Sequence, residues 1–339
     1  MAPTLKDVAN RAGVHPSTVS RVLRKQENLK ILESTRKRIF EAVEELNYHP
    51  DFTARALRMK KSFTIGLIVP DIGNPFFSRI ARTIEQLGFE KGYTVIVCNT
   101  DEDQEKENLY VTHLLSRGVD GMIMVPTQDS DEQVRKIMHK NIPLVLIDRI
   151  FDDVETNAVI SNNVESAFTA VKHLADLGHK KVAFLRGRHN IYTMKKRFEG
   201  YIKAVKEFGL IESDSLIVGD GFSFEDGYNS TKILLECPTP PTGLLLTGNL
   251  ITVGAISAIL EKGLSIPDDI SVIAFADSIF APYLIQPLTA ISHPLFEIGS
   301  KAFDLLLDNI EADNELPSNQ IVVNTQFDIR KTTGKVKVI

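Results

Sequence analysis

Long apolar runs and cysteine are both scarce in this chain. No apolar stretch approaches the roughly 20 residues needed to cross a bilayer, although 43% of the residues are hydrophobic. Because the N-terminus is also polar, we expect neither membrane insertion nor secretion, and a cytoplasmic location. The two cysteines, Cys98 and Cys237, lie far apart in apolar runs, which indicates buried free thiols in a reducing compartment.

The motifs of common enzyme sites are missing as well. The sequence has no glycine-flanked nucleophilic serine and no phosphate-binding loop with a lysine. Its eight histidines are scattered rather than paired at metal-binding spacing. We therefore expect a protein that is not an enzyme, with no catalytic residues, no metal and no cofactor.

Length and charge both indicate more than one domain. A chain of 339 residues exceeds one ordinary domain. The formal net charge of −5 is unevenly spread, since residues 1–61 contain 13 Lys and Arg against 7 Asp and Glu, and the remainder contains 26 against 37. A basic N-terminal segment before an acidic body is typical of a protein whose first part meets phosphate groups. The alternative is a basic surface helix around residues 36–38 that has no partner.

Residues 4–23 form the most informative pattern, two short helices joined by a glycine turn. Apolar residues recur at helical spacing at Leu5, Val8, Ala9, Ala12, Val19, Val22 and Leu23. Gly13 ends the first helix, Val14 packs at the corner, and Pro16 suits the first turn of the second helix. The pattern predicts a helix-turn-helix whose second helix can lie in a DNA major groove. An ordinary helical hairpin with a solvated face is the alternative.

Two further helical segments follow. A third helix is predicted from about Ser34 to Leu46, with a buried stripe of Ile39, Ala42, Val43 and Leu46. The segment from Asp51 to Arg58 predicts about two helical turns, which are too short to be stable alone in water. We expect this segment to fold only when it docks on something.

From Phe63 onwards, apolar runs alternate with amphipathic helices. The runs are residues 65–69, 94–98, 121–125, 143–147, 181–185, 243–247 and 270–275. Nearly continuous Val, Ile and Leu strands separated by helices predict parallel sheets covered on both faces. Two sets of such strands predict two α/β lobes with a cleft, and ligands in such folds bind beyond the carboxyl ends of strands.

Short motifs along nearly the whole chain match one known family. In the first 60 residues they are residues 4–9, 12–14, 18–23, 35–36, 45–48 and 54–57, and in the body they are residues 65–67, 70–77, 119–121, 146–149, 177–179, 197–201 and 287–289. In this order and spacing the motifs resemble the lactose-repressor (LacI/GalR) family of bacterial transcription regulators. The resemblance implies an N-terminal all-α helix-turn-helix head, a hinge helix, and an α/β body of two lobes like that of periplasmic sugar-binding proteins.

The resemblance also implies a division into domains. Residues 1–49 are expected to form the DNA-binding domain, residues 50–61 the hinge helix and linker, and residues 62–339 the effector-binding and dimerisation domain. Within the body, the N-lobe is expected to take about residues 62–161 and 291–325, and the C-lobe about residues 162–290. The tail, residues 330–339, lacks the leucine heptads of tetrameric relatives, so we expect a homodimer.

DNA contacts are implied for the second helix and for the hinge. The expected DNA-binding residues are Leu5, Pro16, Ser17, Thr18, Ser20, Arg21, Arg24, Arg55, Leu57 and Arg58. Arg21 is expected at a guanine edge of a near-palindromic operator, and the hydroxyls at its phosphates. Leu57 matches the leucine that family members wedge into the minor groove, although it could instead pack on the body. His15 and Leu32 stand where the family usually has serine.

Effector contacts are implied at the strand ends of the body. The expected effector-binding residues are Phe76, Phe77, Asp148, Thr193, Lys195, Arg197, Asn249 and Asp277. An aromatic face beside a carboxylate, an arginine and an amide suits a small polyhydroxylated ligand. Two structural alternatives stay open: Phe76 or Phe77 can belong to the core, and Arg197 can pair internally with Glu199 or with a cleft carboxylate.

The cleft departs from the family at three positions. Acidic residues typical of the family are replaced by Asn162, Leu250 and Ala276. Loss of these carboxylates near Lys195, Lys196 and Arg197 predicts an electropositive cleft and an anionic effector, such as a sugar acid or a phosphorylated sugar. Loss of effector binding, or a cleft kept closed by Leu250, are the alternatives.

These expectations describe a repressor of a carbohydrate-utilisation operon. It binds double-stranded operator DNA as a dimer, and a small-molecule effector changes operator affinity by shifting the arrangement of the lobes. A regulator governed by a partner protein, or one without an effector, is the first alternative. A sugar-binding transport protein is the second, but such a protein needs a secretion signal and no basic head.

Overall fold

The computed structural model describes residues 3–23, 31–48, 61–127, 130–275, 282, 286–312, 314 and 316–336. The chain divides into two compact units between Ser62 and Phe63. Several predicted features lie outside the described residues, namely Arg24, the hinge segment with Arg55, Leu57 and Arg58, and the cleft residues Ala276 and Asp277. No helix in the described ranges is long and apolar enough to cross a membrane.

The first unit is a bundle of the helices α1 (Leu5–Ala12), α2 (Pro16–Leu23) and α3 (Glu33–Glu45). Thr4 caps α1 in a reciprocal arrangement with Asp7, and Gly13 ends the helix with a φ of 64°. The apolar residues predicted to face inward are buried in, or packed against, one small core. The predicted helix-turn-helix and third helix are therefore confirmed.

The second unit contains two sheets with helices on both sides. The strands are β1 (Thr64–Val69), β2 (Thr94–Asn99), β3 (Gly121–Met124), β4 (Leu144–Ile147), β5 (Asn157–Ser161), β6 (Val182–Leu185), β7 (Ile217–Val218), β8 (Gly243–Leu246), β9 (Ser271–Phe275), β10 (Thr289–Ser292), β11 (Gln320–Val323) and β12 (Gln326–Asp328). The helices are α4 (Pro75–Glu90), α5 (Gln104–Ser116), α6 (Glu132–His139), α7 (Asn163–Asp176), α8 (Tyr192–Glu207), α9 (Phe224–Leu235), α10 (Asn249–Glu261) and α11 (Leu295–Glu311).

Parallel pairing dominates both sheets. The first sheet has the order β11-β5-β4-β3-β1-β2 and is parallel throughout. The second has the order β12-β10-β9-β8-β6-β7, in which only β12 is antiparallel to its neighbour. Each apolar run predicted from the sequence forms a strand, whereas the sequence pattern does not predict β5, β7, β10, β11 and β12. We call the first sheet with its helices the first lobe and the second sheet with its helices the second lobe.

The strands are apolar throughout because both faces of each sheet are covered. In β1, Leu67 packs with residues of α4 and α11, whereas the next residue, Ile68, packs with residues of α5 and α6. In β6, Leu185 packs with α9 and α10, whereas Phe184 packs with α7 and α8. Successive side chains of a strand point to opposite faces, so a covered sheet needs apolar residues at every position. The predicted α/β architecture is confirmed.

The chain crosses between the lobes after β5, after β10 and between β11 and β12. Two of these crossings are hydrogen-bonded to each other. The side-chain oxygen of Asn162 accepts a hydrogen bond from the backbone N–H of Thr325 (2.9 Å), and the hydroxyls of Ser166 and Thr325 are 2.6 Å apart. Asn162 therefore joins two crossing segments of the body.

Both cysteines are free thiols. Cys98 is buried in the first lobe, and this burial raises the pKa of its thiol. Cys237 is only half-buried at the end of α9, and its thiol donates to the carbonyl of Ile233. The prediction of two buried thiols is therefore correct for Cys98 and wrong for Cys237.

Candidate effector cavity and DNA-binding helix

A cavity of about 130 Å³ lies between the two lobes. Its described lining consists of Asp71, Asn74, Phe76, Phe77, Glu102, Asp148, Arg149, Thr193, Met194, Arg197, Phe222, Thr247, Gly248, Asn249, Leu250, Phe275 and His293. Most of these residues follow the carboxyl ends of strands from both sheets, which is where open α/β folds bind ligands. Sites for drug-sized ligands measure roughly 300–1,000 Å³. The smaller cavity therefore suits a small metabolite.

Aromatic rings from both lobes form the apolar part of the lining. Phe76 and Phe77 lie in the first turn of α4, where Asn74 caps the helix, and their rings meet edge to face at 5.0 Å. Phe222 and Phe275 contribute from the second lobe. Phe76 and Phe77 are buried in the core of the first lobe and also line the cavity. These two residues can therefore belong to the core and contact a ligand at the same time.

Arg197 on α8 is a buried cation whose orientation is fixed from three sides. Its Nε donates to the side-chain oxygen of Asn163 (2.7 Å), and its Nη1 donates to the carbonyl of Thr247 (2.8 Å). The guanidinium carbon lies 4.0 Å from the centre of the Phe275 ring. Glu199 instead pairs with Lys196 at 3.6 Å. Internal pairing of Arg197 with Glu199, the alternative left open above, is therefore wrong.

Asp148 is the carboxylate that follows β4. Its backbone has a φ of 67°, a conformation that costs an L-residue of order 1–3 kcal/mol and is typical of functional sites. The residue is 7% exposed, and its Oδ1 has no hydrogen-bond partner among the described residues. A buried acceptor on the wall of a cavity is a position for a ligand hydroxyl.

An ion pair between the half-buried Glu102 and the buried Arg149 also lines the cavity. Nη1 and Nη2 of Arg149 donate to the two carboxylate oxygens of Glu102 at 2.7 and 2.6 Å, and Nη1 also donates to the carbonyl of Pro126. Glu107 lies nearby, fully buried, and accepts a hydrogen bond from the backbone N–H of Thr127. Burial raises the pKa of Glu107 to about 7.

The second lobe contributes polar groups from the start of α10. The side-chain nitrogen of Asn249 donates to the side-chain oxygen of Asn74 across the cleft (3.2 Å). Leu250 lines the cavity while remaining 51% exposed. Thr193 is buried on α8 and lines the same space. The structure thus brings together Phe76, Phe77, Asp148, Thr193, Arg197 and Asn249 of the predicted set.

Three residues that supported the prediction of an electropositive cleft are not part of the described lining, namely Lys195, Lys196 and Asn162. Lys195 is exposed on α8 and is not part of the described lining, and Lys196 is paired with Glu199. Asn162 joins the crossing segments. The charged side chains of the described lining are the carboxylates of Asp71, Glu102 and Asp148 and the guanidiniums of Arg149 and Arg197. This part of the cavity therefore lacks the predicted excess of positive charge.

Sequence reasoning missed several lining residues. Glu102 and Arg149 follow strands that the sequence does predict, so the rule of looking beyond strand ends could have found them. Phe222 and His293 follow β7 and β10, which the apolar pattern does not reveal. Asp71 follows β1 and could have been found by the same rule, whereas Met194 carries no distinguishing signal in the sequence.

In the first unit, His15 caps the second helix of the helix-turn-helix. Its Nδ1 accepts a hydrogen bond from the backbone N–H of Ser17 (3.2 Å) and lies 2.7 Å from the Ser17 hydroxyl. A histidine thus performs the capping task expected of a serine. Leu32 has no such substitute, because it stands at the start of α3 without a side-chain cap.

Among the described residues of this unit, the predicted DNA-binding residues lie on α2, except Leu5, which begins α1. Ser17 and Arg21 are exposed, whereas the following are half-buried: Leu5, Pro16, Thr18 and Ser20. Leu5 packs against the core of the bundle. The outer face of α2 therefore presents hydroxyls and one guanidinium, which are groups that bind phosphates and base edges.

A helix-turn-helix unit and a two-lobed body with a small-molecule cavity define a class of ligand-regulated DNA-binding proteins. Residues 4–51 match the family model described as "Bacterial regulatory proteins, lacI family", and residues 62–331 match "Periplasmic binding proteins and sugar binding domain of LacI family". The chain belongs to the LacI family of DNA-binding transcriptional repressors, and it is not an enzyme. Members of this family bind operator DNA and small-molecule effectors and typically form dimers.

Individual relatives cover from 81% to 98% of the chain. It is 34% identical to the HTH-type transcriptional repressor PurR of Glaesserella parasuis serovar 5 (strain SH0165), over 94% of this chain and 93% of the relative. The lac repressor dimer bound to operator and the anti-inducer ONPF superposes with a TM-score of 0.85 at 28% identity, over 98% of this chain and 100% of that one. A LacI family transcriptional regulator from Enterococcus faecium with bound ribose superposes with a TM-score of 0.73 at 29% identity, over 81% and 100%.

Proposed function

We propose that this protein represses a carbohydrate-utilisation operon and that a neutral monosaccharide, bound in the cavity, controls its affinity for the operator. The observation that carries this proposal is the convergence of Arg197, Asp148 and Asn249 on a small space beside aromatic rings. Few other small metabolites carry both the apolar faces and the dense hydroxyl groups that such a lining satisfies.

The hydrogen-bonding groups suit adjacent hydroxyls of a sugar. The guanidinium of Arg197 can only donate, and the carboxylate of Asp148 accepts. A sugar hydroxyl does both, so neighbouring hydroxyls can satisfy the two groups together. The C–H face of the sugar ring then packs against Phe76 or Phe222, which line the cavity from opposite lobes. Arg197 needs no reorganisation on binding because Asn163 and Thr247 already hold it.

Charge favours a neutral ligand. Arg149 is already paired with Glu102, and Asp148 and Asp71 face the cavity together with Arg197. An anion entering this space would meet carboxylates without a matching excess of cations. The similar regulator from Enterococcus faecium with bound ribose is in accord with a neutral monosaccharide.

An anionic effector, such as a sugar acid or a sugar phosphate, is the second candidate. It is favoured by the presence of two buried guanidiniums, those of Arg149 and Arg197, in one small cavity. Charge-assisted hydrogen bonds to either group would strengthen binding of a carboxylate or phosphate.

A thermal-shift panel on the full chain separates the two candidates. It compares D-ribose and D-glucose with D-gluconate and D-ribose 5-phosphate. A ligand at 100 times its dissociation constant adds about 2.7 kcal/mol, which raises the melting temperature of a body of this size by roughly 4–6 °C. We expect a response to a neutral sugar. A response confined to the acid or phosphate would establish the second candidate, and no response at all would favour control by a partner protein.

On the DNA side, we propose that α2 enters the major groove and that the segment from Asp51 to Arg58 is the hinge. Ser17, Thr18 and Ser20 then hold phosphates while Arg21 reads a base, with Leu5, Pro16 and Arg24 beside them and Arg55, Leu57 and Arg58 supplied by the hinge. Arg21→Ala should relax the preference at one base pair of each half-site and cost about 1–3 kcal/mol. A uniform loss over all sequences would identify Arg21 as a phosphate contact.

We also propose that the protein acts as a homodimer that covers an exposed apolar stripe on α10. Leu250, Val253 and Leu260 lie on one helical face and are 51%, 55% and 60% exposed. The similar lac repressor structure is a dimer bound to operator. Val253→Asp should place a charge in the interface and shift the sedimenting species from dimer to monomer. An unchanged dimer would exclude this face as the interface.

A further inference from the structure

The pair between Glu102 and Arg149 is the feature of the cavity that a sugar-binding role does not by itself explain. The side chain of Arg149 is 4% exposed and that of Glu102 is 16% exposed, and both line the cavity. Two hydrogen bonds, at 2.7 and 2.6 Å, join Nη1 and Nη2 of Arg149 to the two carboxylate oxygens of Glu102 in a bidentate arrangement. The cavity thus contains a cation whose charge is already matched by a carboxylate that faces the same space.

The loop that carries Glu102 is built to hold this carboxylate in place. Glu102 itself has a φ of 58°, and the preceding Asp101 has a φ of 54°. Asp101 is tied down by Lys106 and by the side-chain nitrogen of Asn99, and Asp103 caps α5. Two successive L-residues in the left-handed region are costly, so the surrounding bonds must enforce the geometry. These bonds fix the position of the Glu102 carboxylate.

We propose that Glu102 determines the specificity of the cavity: by matching the charge of Arg149 and orienting its guanidinium, it makes the site select neutral over anionic ligands. This inference rests on the proposed function of the cavity as the effector site. Without the carboxylate, the guanidinium of Arg149 would face a ligand without the partner that now matches its charge. A change of one charge beside a bound ligand alters the choice between ligands of similar shape and different charge.

Isothermal titration of the full chain with D-ribose and D-ribose 5-phosphate tests this inference. Glu102→Gln keeps the shape of the side chain but removes its charge. It should bind the phosphate more tightly than the wild-type protein does by about tenfold or more, the gain that one charge-assisted hydrogen bond supplies. Glu105→Gln is the matched control, because Glu105 lies exposed in the first turn of α5, just after the loop that carries Glu102, and the substitution removes the same charge. It should leave both affinities unchanged.

A double variant separates charge matching from a merely structural role. Glu102→Gln combined with Arg149→Met removes both charges and restores the net charge of the lining. The gain in phosphate affinity should therefore disappear. Should Glu102→Gln alone fail to fold, the double variant still tests the inference, because it must discriminate against the phosphate as the wild-type protein does.

Three results would overturn the inference. They are a folded Glu102→Gln variant with unchanged phosphate affinity, an equal gain in Glu105→Gln, and a gain that persists in the double variant. The proposed function fails in a different way, when no neutral sugar binds the wild-type protein at all. A phosphate gain specific to Glu102→Gln would then still establish that Glu102 controls the charge preference of this cavity.

Discussion

The side-chain nitrogen of Asn249 lies 3.2 Å from the side-chain oxygen of Asn74, and the hydrogen bond between them joins the two lobes. The same oxygen of Asn74 accepts from the backbone N–H of Phe76 at 3.1 Å and so caps α4. The first turns of α4 and α10 are therefore linked directly at the cavity. A ligand that replaces or reinforces this link changes the relative stability of open and closed arrangements of the body.

Loss of this link should loosen the cleft. Asn249→Ala removes the hydrogen bond to Asn74, and such a bond contributes about 0.5–1.5 kcal/mol. We expect faster amide hydrogen exchange in the first turns of α4 and α10 of the ligand-free protein. Asn229→Ala, an exposed asparagine of α9, is the control and should leave exchange unchanged. Identical exchange in Asn249→Ala and wild type would show that the contact does not hold the lobes together.

Arg197 should matter far more than its lysine neighbours for effector binding. Arg197→Lys cannot reproduce the fork that reaches both Asn163 and Thr247, so we expect effector affinity to fall by about 100-fold or more. Operator binding in the absence of effector should be retained. Lys195→Ala is the control. Titration calorimetry measures the effector affinity of both variants. A comparable loss of effector affinity in Lys195→Ala would instead support the prediction of an electropositive cleft.

The cap formed by His15 should stabilise α2. His15→Ala removes the acceptor for the backbone N–H of Ser17, which should cost about 0.5–2 kcal/mol of local stability and weaken operator binding. His15→Ser supplies the shorter cap that the family resemblance leads one to expect, and it should restore both properties. Hydrogen exchange at Ser17 and a gel-shift titration report the two effects. If His15→Ala matches the wild-type protein in both measurements, the ring contributes no cap.

Glu107 should make the stability of the body depend on pH. Its pKa rises from 4.5 to about 7 on folding, so the folded state binds protons more tightly than the unfolded state does. The free energy of unfolding should therefore fall as the pH rises from 4.5 to 7 and then level off.

Glu107→Gln tests this dependence. The variant keeps an oxygen for the backbone N–H of Thr127 but cannot ionise, so it should be more stable than the wild-type protein at pH 8 by up to about 3 kcal/mol. Chemical denaturation at pH 5 and pH 8 measures the difference, with Glu105→Gln as the exposed control. A wild-type protein whose stability is flat over this range would contradict the raised pKa.

Much of the fold could be predicted because its signals are local. Helical spacing identifies the inward faces of α1, α2 and α3, and the turn at Gly13 needs a residue that accepts a positive φ. Buried strands such as β1 and β8 are apolar at every position, which the sequence displays directly. By contrast, β7 has only two residues, and every second residue of β11 is exposed. The sequences of these two strands therefore do not differ visibly from those of the loops around them.

Residues of the candidate site could be predicted only where they follow a strand that the sequence also predicts. Asp148 and Asn249 follow β4 and β8, and both line the cavity. The sequence misplaces Lys195 because closeness to Arg197 in sequence is not closeness in space. The two residues are two positions apart on a helix and so point about 200° apart, which leaves Arg197 at the cavity and Lys195 in solvent.

The sequence by itself determined the helix-turn-helix, the α/β body and the family, because periodicity, turn residues and the order of short motifs are properties of neighbouring residues. The tertiary structure alone decided the charge of the cavity. Glu102 and Arg149 are far apart in the chain, and only the parallel packing of β1 through β4 brings their side chains within 2.6 Å. Whether a cation in a cavity is free to attract a ligand depends on its partner in space, and no local pattern in the sequence reveals that partner.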